Sequence, residues 1–158
     1  MNYHPADEPM RIQVLSDLHF EFHRDHGEGF VAGLQPDGVD VLIVAGDLST
    51  LPLLDGALAA LCDRYPAVVY VVGNHEYYGS RPDRVHDVLA RAQARLPTLH
   101  WLHHQTATID GVVFAGTPLW FPHTPAADPW RDRMNDFRLI EGFEPWVYEK
   151  ILEHTAST

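Results

Sequence analysis

Val68-Val69-Tyr70-Val71-Val72-Gly73-Asn74-His75-Glu76 sets the frame for the rest of the chain. A short β-branched run of this kind reads as a buried strand of a parallel sheet. It ends abruptly in residues that bind metals or move protons. The same layout occurs twice upstream: Ile12-Gln13-Val14-Leu15 runs into Ser16-Asp17-Leu18-His19, and Val41-Leu42-Ile43-Val44-Ala45 runs into Gly46-Asp47. Open α/β folds place ligands in the crevice outside the carboxyl ends of their strands. Two aspartates, an asparagine and two histidines therefore point at one place. Oxygen and imidazole donors together suit Mn, Fe or Zn, and a cluster without cysteine is not a structural zinc site of the thiolate kind.

Each piece alone has a plainer reading. Asp17 could cap a turn, His19 could be a satisfied polar residue, Gly46-Asp47 is ordinary turn chemistry, and Asn74-His75 could be a polar turn. Their joint occurrence weighs against that reading, since all three follow strand-like runs, 30 residues apart from Asp17 to Asp47 and 27 from Asp47 to Asn74. If strand geometry persists, Asp17 and His19 project to one side of the backbone. Asp47 follows a small residue that permits close backbone approach, which suits a carboxylate shared between two ions. Asn74 can lend its carbonyl oxygen to a hard metal, leaving His75 for proton transfer.

The 158 residues are 46% hydrophobic and 21% charged, as expected for one soluble globular domain. Apolar runs fall far short of the roughly 18 residues of a membrane helix, and the start Met1-Asn2-Tyr3-His4-Pro5 lacks the regions of a signal peptide, so the expectation is a cytoplasmic protein with no membrane partner. Cys62 has no second cysteine to pair with and falls in the pattern Leu58, Leu61, Cys62, Tyr65, as a core thiol would. Lys and Arg number 11 against 22 Asp and Glu, for a net charge of -11. That balance disfavours binding to a nucleic-acid backbone by a basic face. Divalent ions would offset part of it and reverse the local field felt by an anionic substrate.

Residues 20 to 38 show no clear period and read as a loop. Ser49 or Thr50 with Pro52 opens a helix that carries Leu54, Leu58, Leu61 and Tyr65 until Pro66. Strand 67 to 72 follows, then a helix opened by Ser80 and Pro82, with Val85, Val88, Leu89 and Ala92, closed by Pro97. Thr98 to Leu102, Ala107 to Ile109 and Val112 to Ala115 read as short strands, the last two joined by Asp110-Gly111, a strong hairpin signal. The sheet is therefore expected to be mixed, parallel and antiparallel. Pro118 to Pro145 reads as a surface loop and 145 to 154 as a last helix.

With these motifs, Asp17-Leu18-His19, Gly46-Asp47 and Gly73-Asn74-His75-Glu76, the chain resembles the calcineurin-like metallophosphoesterases. Gly116-Thr117-Pro118-Leu119-Trp120 and Met134-Asn135-Asp136-Phe137-Arg138 are similar to segments of a bacterial and phage-type branch of that family. The resemblance implies an α/β fold, a four-layer α-β-β-α sandwich with mixed sheets, as a single domain over residues 1 to 158. It implies two divalent metal ions, manganese first with iron or zinc as alternatives. Asp17 and His19 would bind the first ion, Asp47 would bridge both, Asn74 would bind the second, and His75 would be the catalytic residue beside the leaving group. The implied substrate is a phosphate mono- or diester, with nucleic acid entering only as substrate.

Family members add a histidine after a later strand and a Gly-His-x-His motif near their C-terminus, and nothing of that form follows Asn74 here. His103-His104 precedes the hairpin, where a family member has no ligand, and reads as a pair of exposed loop histidines. The fold is therefore expected to be incomplete in this chain, with the missing ligands supplied by a complementing segment or a second copy. The rival reading is a noncatalytic remnant or binding module with an incomplete metal site. Gly27, Gly29 and Gly33 lack the strand and spacing of a dinucleotide loop. His23, His26 and His123 read as solvated, and Trp120, Phe121, Trp130 and Phe137 as cover for the core edge.

Overall fold

The computed structural model describes residues 9 to 118 and 133 to 143. Four parallel strands form one sheet in the order β1 (Ile12–Leu15), β2 (Val41–Ala45), β3 (Val68–Val71) and β4 (Leu99–Trp101). Their register sets Leu15 beside Val44 and Ala45 beside Val71, so β1, β2 and β3 end at one edge. Two antiparallel strands, β5 (Gln105–Ile109) and β6 (Val112–Gly116), make a second sheet. Parallel and antiparallel pairings are both present, but in place of the one mixed sheet that the sequence suggests they divide between two sheets, because among the described residues β5 and β6 pair only with each other.

Alternation along the strands explains the layers. Leu42 and Val44 of β2, with Val68 and Tyr70 of β3, pack into the core that holds Leu54, Leu58, Leu61, Val85 and Leu89. These come from α2 (Leu51–Cys62) and α3 (Pro82–Arg95), the crossovers between β2, β3 and β4. Val41 and Val69 face the other way, onto Leu102 and Phe114, with Ile43, Val71, Ala107 and Ile109 at the margin. The described residues thus stack helices, parallel sheet and antiparallel sheet. Full burial of side chains such as Leu54, Leu58 and Leu61 contributes about 1.5–3 kcal/mol each. Cys62 lies buried among them. At the hairpin, Asp110 and Gly111 both have positive φ, 46° and 84°, the conformation that a two-residue turn between right-twisted strands needs.

Two segments depart from their sequence reading. Within 20 to 38, Phe20–Phe22 forms a 3-10 turn and Glu28–Gly33 a short helix, α1. Within 118 to 145, Asp136–Leu139 forms a further turn of helix, α4, bridged through Ile140 to Ser80. The predicted helix at 145 to 154, His123, Trp120, Phe121 and Trp130 lie outside the described residues. Among those described, no helix is long and apolar enough to cross a membrane.

Candidate metal centre

The segments leaving β1 and β2 stay zipped together beyond the strands. Asp17 N–H donates to Gly46 O at 3.2 Å, His19 N–H to Asp47 O at 2.9 Å, and Phe20 N–H to Leu48 O at 3.0 Å. The pairing holds Asp17, His19 and Asp47 in left-handed backbone conformations, with φ of 55°, 48° and 53°. Such conformations are costly for residues other than glycine and persist where the surroundings fix them.

Two glycines let β2 and β3 close on each other. A Cβ on Gly46 would sit 2.9 Å from Gly73 Cα, and a Cβ on Gly73 would overlap Asp47 Oδ1. The buried Glu76 carboxylate fastens this junction, taking N–H groups from Leu48 at 2.7 Å, Gly73 at 2.7 Å and Asp47 at 3.3 Å. Burial pushes the Glu76 carboxyl up despite those bonds. Glu76 acts as a strand-end clasp, a role that its place in the motif did not reveal.

Asp47 Oδ1 accepts the backbone N–H of His75 at 2.9 Å. One ligand atom from each of His19, Asp47 and His75 lies within 4.8 Å of the others. The His19 and His75 rings meet edge-on at 4.2 Å, and Tyr78 stacks on His75 at 4.4 Å. Glu21, absent from the sequence-derived site, lies beneath both histidines, 2.7 Å from His75 Nδ1 and 3.4 Å from His19 Nδ1. Burial, the largest single influence, works to raise its carboxyl, but the hydrogen bonds from His75 and the backbone, with the neighbouring imidazoles, together outweigh it and leave it below the usual range. A carboxylate can only accept, so His75 donates from Nδ1 and turns Nε2 to other partners. The one signal for Glu21 in the sequence is its position two residues after His19.

Asn74 and Asp17 stand differently. The Asn74 amide donates to the Tyr78 oxygen and to Asp136 Oδ1, both at 2.7 Å, and the Tyr78 hydroxyl donates to the same Asp136 oxygen at 2.8 Å. Burial and the Asp136 carboxylate push the Tyr78 phenol up, which keeps its proton in place. Asp17 is at the shared strand edge, but its exposed carboxylate is not one of the three close donors. His103 is half-buried against His86, ring centres 4.6 Å apart, and only His104 is exposed as the sequence suggests. His26 is exposed as expected, whereas His23 is partly covered and stacks on Phe20. Phe137 packs edge-on against Phe143, at the core margin.

Residues 10–155 match the sequence model of the calcineurin-like phosphoesterases, and the chain belongs to that family. No curated protein matches it. A crystal structure of phosphopantetheinyl hydrolase from Mycobacterium tuberculosis is similar over 93% of this chain, with a TM-score of 0.64 and 19% sequence identity. At that identity the likeness is one of fold, and this chain spans 62% of the length of that one.

Proposed function

We propose that the chain hydrolyses phosphate mono- or diesters at a dinuclear centre held by Asp17, His19, Asp47 and Asn74, with His75 serving the leaving group. The observation that supports this most is the convergence of His19, Asp47 and His75 donors at the ends of three adjacent parallel strands. Among the described residues, the buried Glu21 Oε2 there makes no hydrogen bond, as expected of a site built around a cation. The donor set is oxygen and imidazole without sulfur, which fits manganese, with iron or zinc as alternatives. Bound divalent ions would supply positive charge for the phosphoryl oxygens and a water acidified toward a pKa of about 7.

The protein's own groups divide the rest. Asp47, between the ends of β1 and β3, would be the shared ligand, and Gly73 leaves the room that its carboxylate occupies. Glu21 holds the His75 ring through Nδ1, so Nε2 is the nitrogen for a proton passed to the departing oxygen. General acid help of this sort is worth about a hundredfold to ten-thousandfold.

Asn74→Ala should lower occupancy of one metal ion, whereas His75→Ala should leave metal content nearly intact and lower turnover. The His75 loss should be smaller with a nitrophenyl ester than with an alkyl ester, because nitrophenolate leaves with little protonation. Metal analysis beside steady-state kinetics on both esters checks this. Equal losses on the two esters would point to electrostatic stabilisation in place of proton donation. The three-donor cluster taken by itself favours a second reading, a module that binds one cation without turnover. Absence of hydrolysis of both esters at saturating Mn, by this chain and by any longer form carrying more ligands, would leave that reading standing.

A further inference from the structure

We infer that Asp136 is a positioning residue for the metal centre, fixing the Asn74 side chain so that its amide oxygen, and not its nitrogen, is offered to the cation. This rests on the reading of Asn74 as a ligand. The Asn74 amide nitrogen has two hydrogens, and its two partners are the Tyr78 oxygen and Asp136 Oδ1. Tyr78 has one hydroxyl proton, which goes to that same Asp136 oxygen. A carboxylate has none to give. Every proton in the ring of three is thereby assigned, and Asn74 must be the donor in both of its bonds. A flipped amide would set its oxygen against a carboxylate oxygen and against a hydroxyl whose proton is already committed. The oxygen is therefore turned away from Asp136 and Tyr78 before any metal arrives.

Asp136 is held firmly enough to do this. It is 4% exposed and lies 62 residues from Asn74. Its short helix is tied to the segment that follows the Asn74 turn by Gly79 N–H to Leu139 O at 2.8 Å and Glu141 N–H to Ser80 O at 2.9 Å. Ile140 and Phe143, just beyond, are buried in the main core. Burying a carboxylate is expensive unless its partners use it. Both hydrogen bonds described for the Asp136 carboxylate serve the Asn74 turn.

The test is calorimetric titration of the 158-residue chain with Mn, backed by Mn electron paramagnetic resonance, on the parent, Asn74→Ala, Asp136→Asn, Asn74→Asp and the double exchange Asn74→Asp with Asp136→Asn. An amide at 136 can donate as well as accept, so Asn74 is free to flip. The affinity of the ion that Asn74 holds should then fall about 10- to 100-fold, as for other groups that orient a metal ligand. Asn74→Asp alone sets two carboxylates face to face and should also bind weakly. The double exchange restores a donor at 136 against an acceptor at 74, whose two oxygens are equivalent, and affinity should return to within a few-fold of the parent. Near-UV circular dichroism checks that each variant is folded; should Asp136→Asn not fold, the double exchange against Asn74→Asp alone decides. Loss of an ion in Asn74→Ala but an unchanged isotherm in Asp136→Asn would overturn the positioning role while sparing the ligand. A loss in Asp136→Asn that the double exchange leaves unrepaired would mean that Asp136 acts through the fold. An Asn74→Ala isotherm identical to the parent, or no Mn uptake by the parent, would overturn the ligand reading and this inference with it.

Discussion

Gly73 shows how little freedom the centre has at the scale of single residues. A Cβ there would overlap Asp47 Oδ1 and lie 2.7 Å from the Asp47 nitrogen, so Gly73→Ala must move the carboxylate that is central to the proposed site. Displacements of about 1 Å near reacting groups can cost on the order of a hundredfold in rate. We expect a loss of that order in phosphodiester turnover, with weaker Mn binding, in a chain whose circular dichroism stays that of the parent. Unaltered Mn binding would mean that Asp47 does not ligate. The glycines, Asp47 and Asn74-His75 are legible in the sequence because each follows a β-branched run that reads as a buried strand. Glu21, Tyr78 and Asp136 are not legible in that way. They reach the site from turns without periodicity, and Asp136 comes from a segment in which Pro, Trp, Phe, Asp and Arg mingle.

Elements whose boundaries are chemical were readable, and those held by single contacts were not. α2 and α3 each begin with proline in the first turn and keep apolar residues at helical spacing, so their starts follow from sequence, although α2 ends at Cys62, short of the Tyr65 that the pattern included. α1 carries Gly29 and Gly33 within six residues and shows no such signal. It forms because Asp25 accepts the N–H groups of Gly27 and Gly29, and because the Phe20 ring packs where a Gly27 side chain would be. The Asp25 carboxylate was the available clue, since a residue of that kind before a short helix satisfies its free donors. β4 carries a consequence of burial that can be measured. Burial lowers the His100 pKa from its usual 6.5, so the folded chain resists a proton that the unfolded chain accepts. Its contribution to stability is complete above that usual value and is lost as pH falls toward the lowered one. Urea unfolding at about pH 7 and about pH 5.5 should show the parent losing more stability on acidification than His100→Leu. The opposite trend would mean that the fold stabilises the charged ring.

At the scale of the whole molecule, the two sheets lie close together, among the described residues, at the end that carries the candidate centre. Gly116, the last residue of β6, lies where a Cβ would come 2.5 Å from Leu102 Cβ and 2.8 Å from Val71 Cγ2, and Val71 is two residues before Gly73. The sequence shows β6 as a strand and Asp110-Gly111 as its turn, but the separation into two sheets depends on which strands find each other's edges, and local pattern carries no information on that. Once the sheets are apart, the inward alternation of Ala107, Ile109 and Phe114 against Val69 and Leu102 makes a second core, and Gly116 sets how closely its end can shut. Gly116→Ala should therefore force the sheets apart and destabilise the chain by roughly 1–3 kcal/mol, the usual cost of overfilling a packed interior. Val113, on the outer face of the same strand and 64% exposed, gives the matched comparison. Val113→Ala should change stability by no more than about 0.5 kcal/mol, as substitutions away from packed interiors do. Urea midpoints for the two variants decide the matter: a Gly116→Ala chain as stable as the parent would mean that β6 does not close on Leu102 and Val71.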